Sequence, residues 1–126
     1  MRASKNFSEK ELSCHCGCGT VNVRKESLLR LQKLRDYLGF PLVISRASSC
    51  EQHNKNIGGA KNSEHVASQE IESCGFDIVC ATARERFLIM KGAFQVGFNR
   101  VGMYRNHNGI HLGDSPNHDP DVFWLI

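Results

Sequence analysis

No apolar run in this 126-residue chain exceeds five residues, the longest being "FPLVI" and "VFWLI". That excludes a membrane-spanning helix, which needs about 20. The opening "MRASKNFSEKEL" lacks the apolar core of a signal peptide, so the chain is expected to be made in the cytoplasm, with delivery by another agent if its target lies outside. No Lys/Arg block and no basic stripe interleaved with aromatics is present, and the formal net charge is only +3. Nucleic-acid binding therefore lacks its electrostatic footprint. Proline is scarce (3), and repeats, low-complexity segments and linkers are missing. With 40% hydrophobic and 23% charged residues, the composition is that of one folded domain over residues 1–126.

Cysteine is what the chain does have. Six fall at positions 14, 16, 18, 50, 74 and 80. Without a secretion signal a disulfide framework is not expected. Adjacent members of the trio in "SCHCGCG" bridge each other poorly, because a disulfide requires a particular Cα separation and dihedral. Two readings stand for Cys14, Cys16 and Cys18: a structural zinc site with His15 beside it and Cys50 nearby, or reduced, partly buried thiols.

The patterning predicts interleaved helices and strands. "SEKE" is a capping box opening a short helix. Leu28, Leu31, Leu34 and Leu38 recur at helical spacing over about 25–38, before Gly39 and Pro41 stop the helix. "PLVIS" predicts a buried strand, "CEQHNKN" a short helix closed by Gly58 and Gly59, and "FDIVC" a second strand. "TARE" is another capping box, opening a helix to Gly97 whose buried stripe is expected to be Phe87, Met90 and Phe94. "RVGMY" and "GIHLG" flank a hairpin turn at Asn108-Gly109, and "VFWLI" predicts a last strand. The class is α+β, with a small, mainly antiparallel sheet.

Three residues pose a metal question. His65 lies in the loop "IGGAKNSEH", Asp77 in the strand "FDIV" and His111 in the strand "IHLG". A carboxylate between Phe76 and Ile78 is costly to bury unless something positive meets it, and a metal would satisfy both it and the imidazoles. An Arg partner for Asp77 and hydrogen-bonded interior histidines would serve equally, so spacing alone leaves both open.

The segments "NKNIGGAKNSEH", "FDIVCATARERF", "GFNRVGMY" and "IHLGD", in this order, resemble the zinc D-alanyl-D-alanine carboxypeptidase family of cell-wall peptidases, whose fold is shared with the hedgehog signalling domain. "FSEKELSCHCGCG", the leucine helix and "PLVIS…CEQHN" are similar to its small bacterial and phage members, so the resemblance spans Phe7 to Trp124. It implies a hedgehog/DD-peptidase-like fold, with His65, Asp77 and His111 as ligands of Zn2+. It further implies that Ser63 braces the loop and Asn54 holds the turn beneath the site. The implied chemistry is hydrolysis of the peptide stem of peptidoglycan, either D-Ala-D-Ala carboxypeptidase or L-Ala-D-Glu endopeptidase. The metal polarises the scissile carbonyl, a carboxylate takes a proton from water, and a basic group steadies the oxyanion.

The chain departs from that pattern in three places. The family's Asp follows the first His by seven residues, a position held here by Glu72, whereas Asp77 follows by twelve. Asp77 is preferred because "DIVC" and "ERF" anchor it, which makes the five extra residues, within "VASQEIESC", an insertion at the lip of the site. The family's Arg before the Cys of "CEQHN" is Ser49 here, so Arg46 replaces it only if the loop bends, since an odd offset points to the opposite strand face. The family's carboxylate positions around the last His are Asn108 and Gly113, which leaves Asp114 as the expected general base, with Glu70, Glu72 and His107 as alternatives.

Two functions follow. One is a zinc metallopeptidase acting on peptidoglycan stem peptides, phage delivery being one route to the wall. The other is a non-catalytic, metal-stabilised cell-wall-binding or virion module of the same fold. No nucleic-acid or membrane partner is expected, and the sequence sets no oligomeric state.

Overall fold

A computed structural model describes residues 2–126. In chain order the elements are α1 (Glu9–Leu12), α2 (Lys25–Leu38), β1 (Ile44–Arg46), α3 (Glu51–Asn56), β2 (Gly75–Val79), α4 (Ala83–Val96), β3 (Arg100–Met103), β4 (Gly109–Gly113) and β5 (Val122–Leu125). The N-cap half of each expected capping box forms, while Glu11 and Glu85 accept from Ser8 Oγ and Ala81 N instead of from the N-cap N–H. Ser8 Oγ accepts from Glu11 N and Thr82 Oγ1 from Glu85 N, which satisfies backbone donors that the first turns leave without partners. Gly39 and Gly97 end α2 and α4 in the left-handed conformation, at φ 74° and 99°. Among the described residues, no helix is long and apolar enough to cross a membrane.

The five strands form one sheet in the order β1-β2-β4-β3-β5. Its neighbours are antiparallel except β3 and β5, which run parallel. The fold is thus α+β with a small mixed sheet and flanking helices. Alternation along the central strands splits its faces. Phe76, Ile78, Ile110 and Leu112 are fully buried in one core with Leu31 and Leu34 of α2 and Ile89 and Ala93 of α4. Asp77 and His111 point to the other face.

Three expectations need correction. The strand expected from "PLVIS" shrinks to the edge strand Ile44–Arg46, with Val43 exposed. The turn between β3 and β4 spans residues 104–108, and Gly109 is already the first residue of β4. On α4, Phe87 and Phe94 are 59% and 50% exposed; of the expected stripe only Met90 packs, partly buried like Val96, against the core, while Ile89 and Ala93 are buried. Ile89, Ala93 and Val96 have the helical i, i+4, i+7 spacing, and Ala93 and the adjacent Gly92 are small where α4 lies close against α2. A Cβ on Gly92 would stand 2.8 Å from Leu34 Cδ1, so a larger side chain would push the helices apart.

Candidate metal centre

The site is one transverse row of the sheet. Arg46 of β1 pairs with Asp77 of β2, Asp77 with His111 of β4, His111 with Gly102 of β3, and Gly102 with Trp124 of β5. Residues in register share a face, so the row presents a guanidinium, a carboxylate, an imidazole and an indole side by side. Gly102 makes room for the indole, whose ring carbons would lie 3.0–3.1 Å from a Cβ there. Trp124 thereby reaches the His111 ring, 5.6 Å between centroids.

Arg46 joins the row through a β-bulge. Ile44 pairs with Ile78 but Arg46 pairs with Asp77, so two steps on β1 match one on β2. The extra residue reverses the alternation and brings Arg46 to the metal side, meeting the bend its odd offset required. Its Nε donates to Ser49 Oγ (2.9 Å) and its Nη2 to Asn54 Oδ1 (2.7 Å).

His65 arrives from the loop after α3. Gly58 takes φ 74°, and a side chain on Gly59 would overlap the Asn54 side chain, which donates to Ala60 O at 2.9 Å. Ser63 Oγ accepts from His65 N at 3.2 Å. The positions of Asn54 beneath the turn and Ser63 in the loop agree with the expected supporting roles. His65 Nδ1 lies 2.9 Å from Ala47 O, a carbonyl that can only accept. The proton therefore sits on Nδ1 and the Nε2 lone pair is free.

His65 Nε2, Asp77 Oδ1 and His111 Nδ1 form a triangle with edges of 3.0–3.2 Å. A tetrahedral zinc with bonds of about 2.0–2.1 Å sets its ligands roughly 3.3 Å apart, so the donor set and spacing fit that ion. All three residues are buried and can together hold a metal. Burial lowers the pKa of His65 and keeps it neutral, as a ligand must be. Burial would raise that of Asp77, but the two imidazoles packed against it outweigh burial and hold it well below the usual carboxylate range. Tyr104 Oη donates to Asp77 Oδ2 at 2.8 Å and orients the carboxylate.

The next row on the same face carries Gly75, Gly113 and Arg100 in register. Its two glycines leave a slot filled by Glu64. A Cβ on Gly75 would lie 2.9 Å from Glu64 Cβ and 2.7 Å from His111 Cε1. Glu64 Oε1 accepts from His111 Nε2 at 2.9 Å, and Oε2 accepts from Ser115 N at 3.1 Å. Arg100 Nε lies 2.9 Å from Oε1 as an ion pair, off the line of a hydrogen bond. Burial opposes ionisation of Glu64, but His111, Arg100 and Ser115 outweigh it and hold the pKa at about 2. Glu64 so fixes His111 with its Nδ1 turned to the triangle.

Above the triangle lies a cleft of about 460 Å³, whose wall includes Arg46, Arg100, Tyr104, His118 and Trp124. His118 Nε2 lies 2.6 Å from Asn62 O and must donate to it, leaving Nδ1, 2.7 Å from Ser115 Oγ, as the basic nitrogen.

Asp114 stands elsewhere. It accepts from Ser27 Oγ at 2.6 Å and from Arg30 Nη1, with Arg24 Nη1 at 3.6 Å, and does not line the cleft. The strand alternation that gives His111 to the metal turns Asp114 toward α2, so this placement does not support the general base expected there. Glu70, Glu72 and His107 are exposed and also outside the cleft. The 66–74 segment that holds the insertion reaches Asn22, whose Nδ2 donates to Ser68 O and Ile71 O, and it forms no lip over the metal centre. Sequence reasoning missed Glu64, Arg100 and His118. Only Glu64 carried a signal, as a charged residue between Ser63 and His65.

A family model described as Peptidase M15 matches residues 5–113. No curated protein matches the chain.

Proposed function

The chain belongs to the Peptidase M15 family, and from that premise we propose that it is a zinc metallopeptidase cleaving the peptide stem of peptidoglycan. The carrying observation is the triangle of His65 Nε2, Asp77 Oδ1 and His111 Nδ1 at tetrahedral spacing beneath an open cleft. Two imidazoles and a carboxylate suit zinc, though other divalent transition ions accept the same donors. When bound, zinc supplies Lewis acidity toward a carbonyl oxygen and toward water.

The chain's own groups supply the rest. Arg46, braced by Ser49 and Asn54, holds a positive charge on the cleft wall where an oxyanion develops. Arg46 favours a substrate bearing carboxylates, as a stem peptide does, whereas the charge of Arg100 is matched by Glu64. Trp124 offers an apolar face to a short side chain. His118 Nδ1 is the basic nitrogen assigned to proton transfer, its ring held by Asn62 and Ser115.

One observation favours a second reading, a metal-stabilised wall-binding module without activity. Among the described residues, Glu64 is the one carboxylate lining the cleft, and its oxygens are committed to His111, Arg100 and Ser115. Zinc-loaded protein incubated with purified peptidoglycan separates the two. New amino groups in the soluble fraction support the peptidase, whereas retention on the insoluble wall with no release supports the module.

A further inference from the structure

Four thiols outside the cleft converge on one point. The sulfurs of Cys14, Cys16, Cys18 and Cys50 all lie within 4.8 Å of one another. Cys14 to Cys16 is 3.4 Å and Cys16 to Cys50 is 3.8 Å. A tetrathiolate zinc with bonds of about 2.3 Å places its sulfurs roughly 3.8 Å apart. The cluster has that spacing before any ion is added, and all six cysteines are free.

The backbone is shaped to present these sulfurs. Gly17 and Gly19 take φ of 89° and 81°, a conformation that L side chains rarely adopt. With glycine between and after the cysteines, the chain coils tightly enough for alternate residues to point inward. Cys14 N donates to Thr20 O at 2.7 Å and closes the coil. Two backbone donors aim at sulfur: Cys50 N at Cys14 Sγ (3.4 Å) and His53 N at Cys50 Sγ (3.3 Å). Such N–H···S bonds stabilise thiolates, the form a metal needs.

We propose that Cys14, Cys16, Cys18 and Cys50 bind a second, structural zinc ion that clamps the 14–20 loop onto the start of α3. Three ligands come from one tight coil and the fourth from a segment more than thirty positions away, so the ion cross-links them as a disulfide would. The fourth ligand adjoins the active cleft. Ser49, its neighbour, donates its N–H to His65 O at 2.8 Å and accepts from Arg46 through its hydroxyl. The clamp therefore fixes the β1–α3 corner on which both Arg46 and His65 depend. The inference goes beyond the peptidase reading and does not rest on it.

Cobalt substitution isolates this site, because the His65–Asp77–His111 centre contains no sulfur. Titrating Co2+ into the reduced, metal-free full chain should give a thiolate-to-cobalt charge-transfer band saturating at about one ion per chain. The band should persist in His65→Ala and vanish in a Cys16→Ser, Cys18→Ser double variant. Zinc should also protect the four thiols from a thiol reagent in the unmutated chain, a readout that needs no variant to fold. Absence of the charge-transfer band under reducing conditions, or thiol reactivity indifferent to zinc, overturns the proposal.

Discussion

The carboxylate of Glu64 occupies the volume that a side chain on Gly113 would fill. Residue 113 is one of the two places beside the last histidine where the family resemblance leads one to expect a carboxylate, and here it is reached from another part of the chain. Gly113→Ala must displace Glu64 from His111, Arg100 and Ser115 together. Loss of such a partner to a metal-binding histidine typically costs 10–100-fold in affinity. Calorimetric zinc titration of the sulfur-free centre, with the cysteine cluster blocked, should show a weakening of about that size. An unchanged affinity would mean that Glu64 does not orient His111.

The three ligands should act as a unit. A ligand present at a hundredfold its Kd stabilises the folded state by about 2.7 kcal/mol. Zinc should therefore raise the melting temperature of the cysteine-blocked chain, and Asp77→Asn should abolish the rise. A zinc-dependent shift that survives in Asp77→Asn would place the ion elsewhere.

In the metal-free chain the same cluster should titrate. Burial presses the His111 pKa down, but hydrogen bonds to Asp77 and Glu64 outweigh it and raise it from 6.5 to about 9. A raised histidine stabilises the fold fully below its unfolded pKa, and that contribution fades as pH climbs through the folded value. Metal-free stability should thus decline between about pH 6.5 and 9, while zinc affinity rises as the competing proton leaves. Ring resonances of His111 in the metal-free chain provide the check, and a midpoint at or below 6.5 would contradict the ion pairing.

The two N-caps, α2 and the order of helices and strands were legible because each rests on local chemistry. Ser8, Thr82 and Gly39 act within a few residues of themselves. The candidate ligands were legible through motif resemblance, and the structure brings all three together. Strand register was not legible, and register is what assembles Arg46, Asp77, His111 and Trp124 into one row. Nor could residue type alone reveal that α4 turns Ile89, Gly92 and Ala93 inward and leaves two phenylalanines half exposed. Ile89→Ala should cost about 2–5 kcal/mol, as for a buried aliphatic side chain. Phe94→Ala should cost well under that, and denaturant melts of the pair will rank them.

His118 lines the cleft, whereas Asp114, expected from the sequence as the general base, does not. Asp114 holds β4 to α2, its buried side chain bonded to Ser27 and Arg30. Asp114→Asn keeps the shape but removes the charge facing a partly exposed Arg30, so it should lower stability by about 1–3 kcal/mol. At a temperature where the variant remains folded, its turnover should be near normal. His118 lies on the cleft wall, half-buried, and contributes nothing to the core. His118→Ala should fold, bind zinc with unchanged affinity and lose turnover by a factor of about 10²–10⁴, the usual worth of a positioned acid–base group. If its turnover is normal, proton transfer belongs to another group on the cleft, and Glu64 is the next to substitute. If Asp114→Asn instead loses turnover while melting normally, the strand end must rearrange when substrate binds, and the division of roles drawn from this geometry fails.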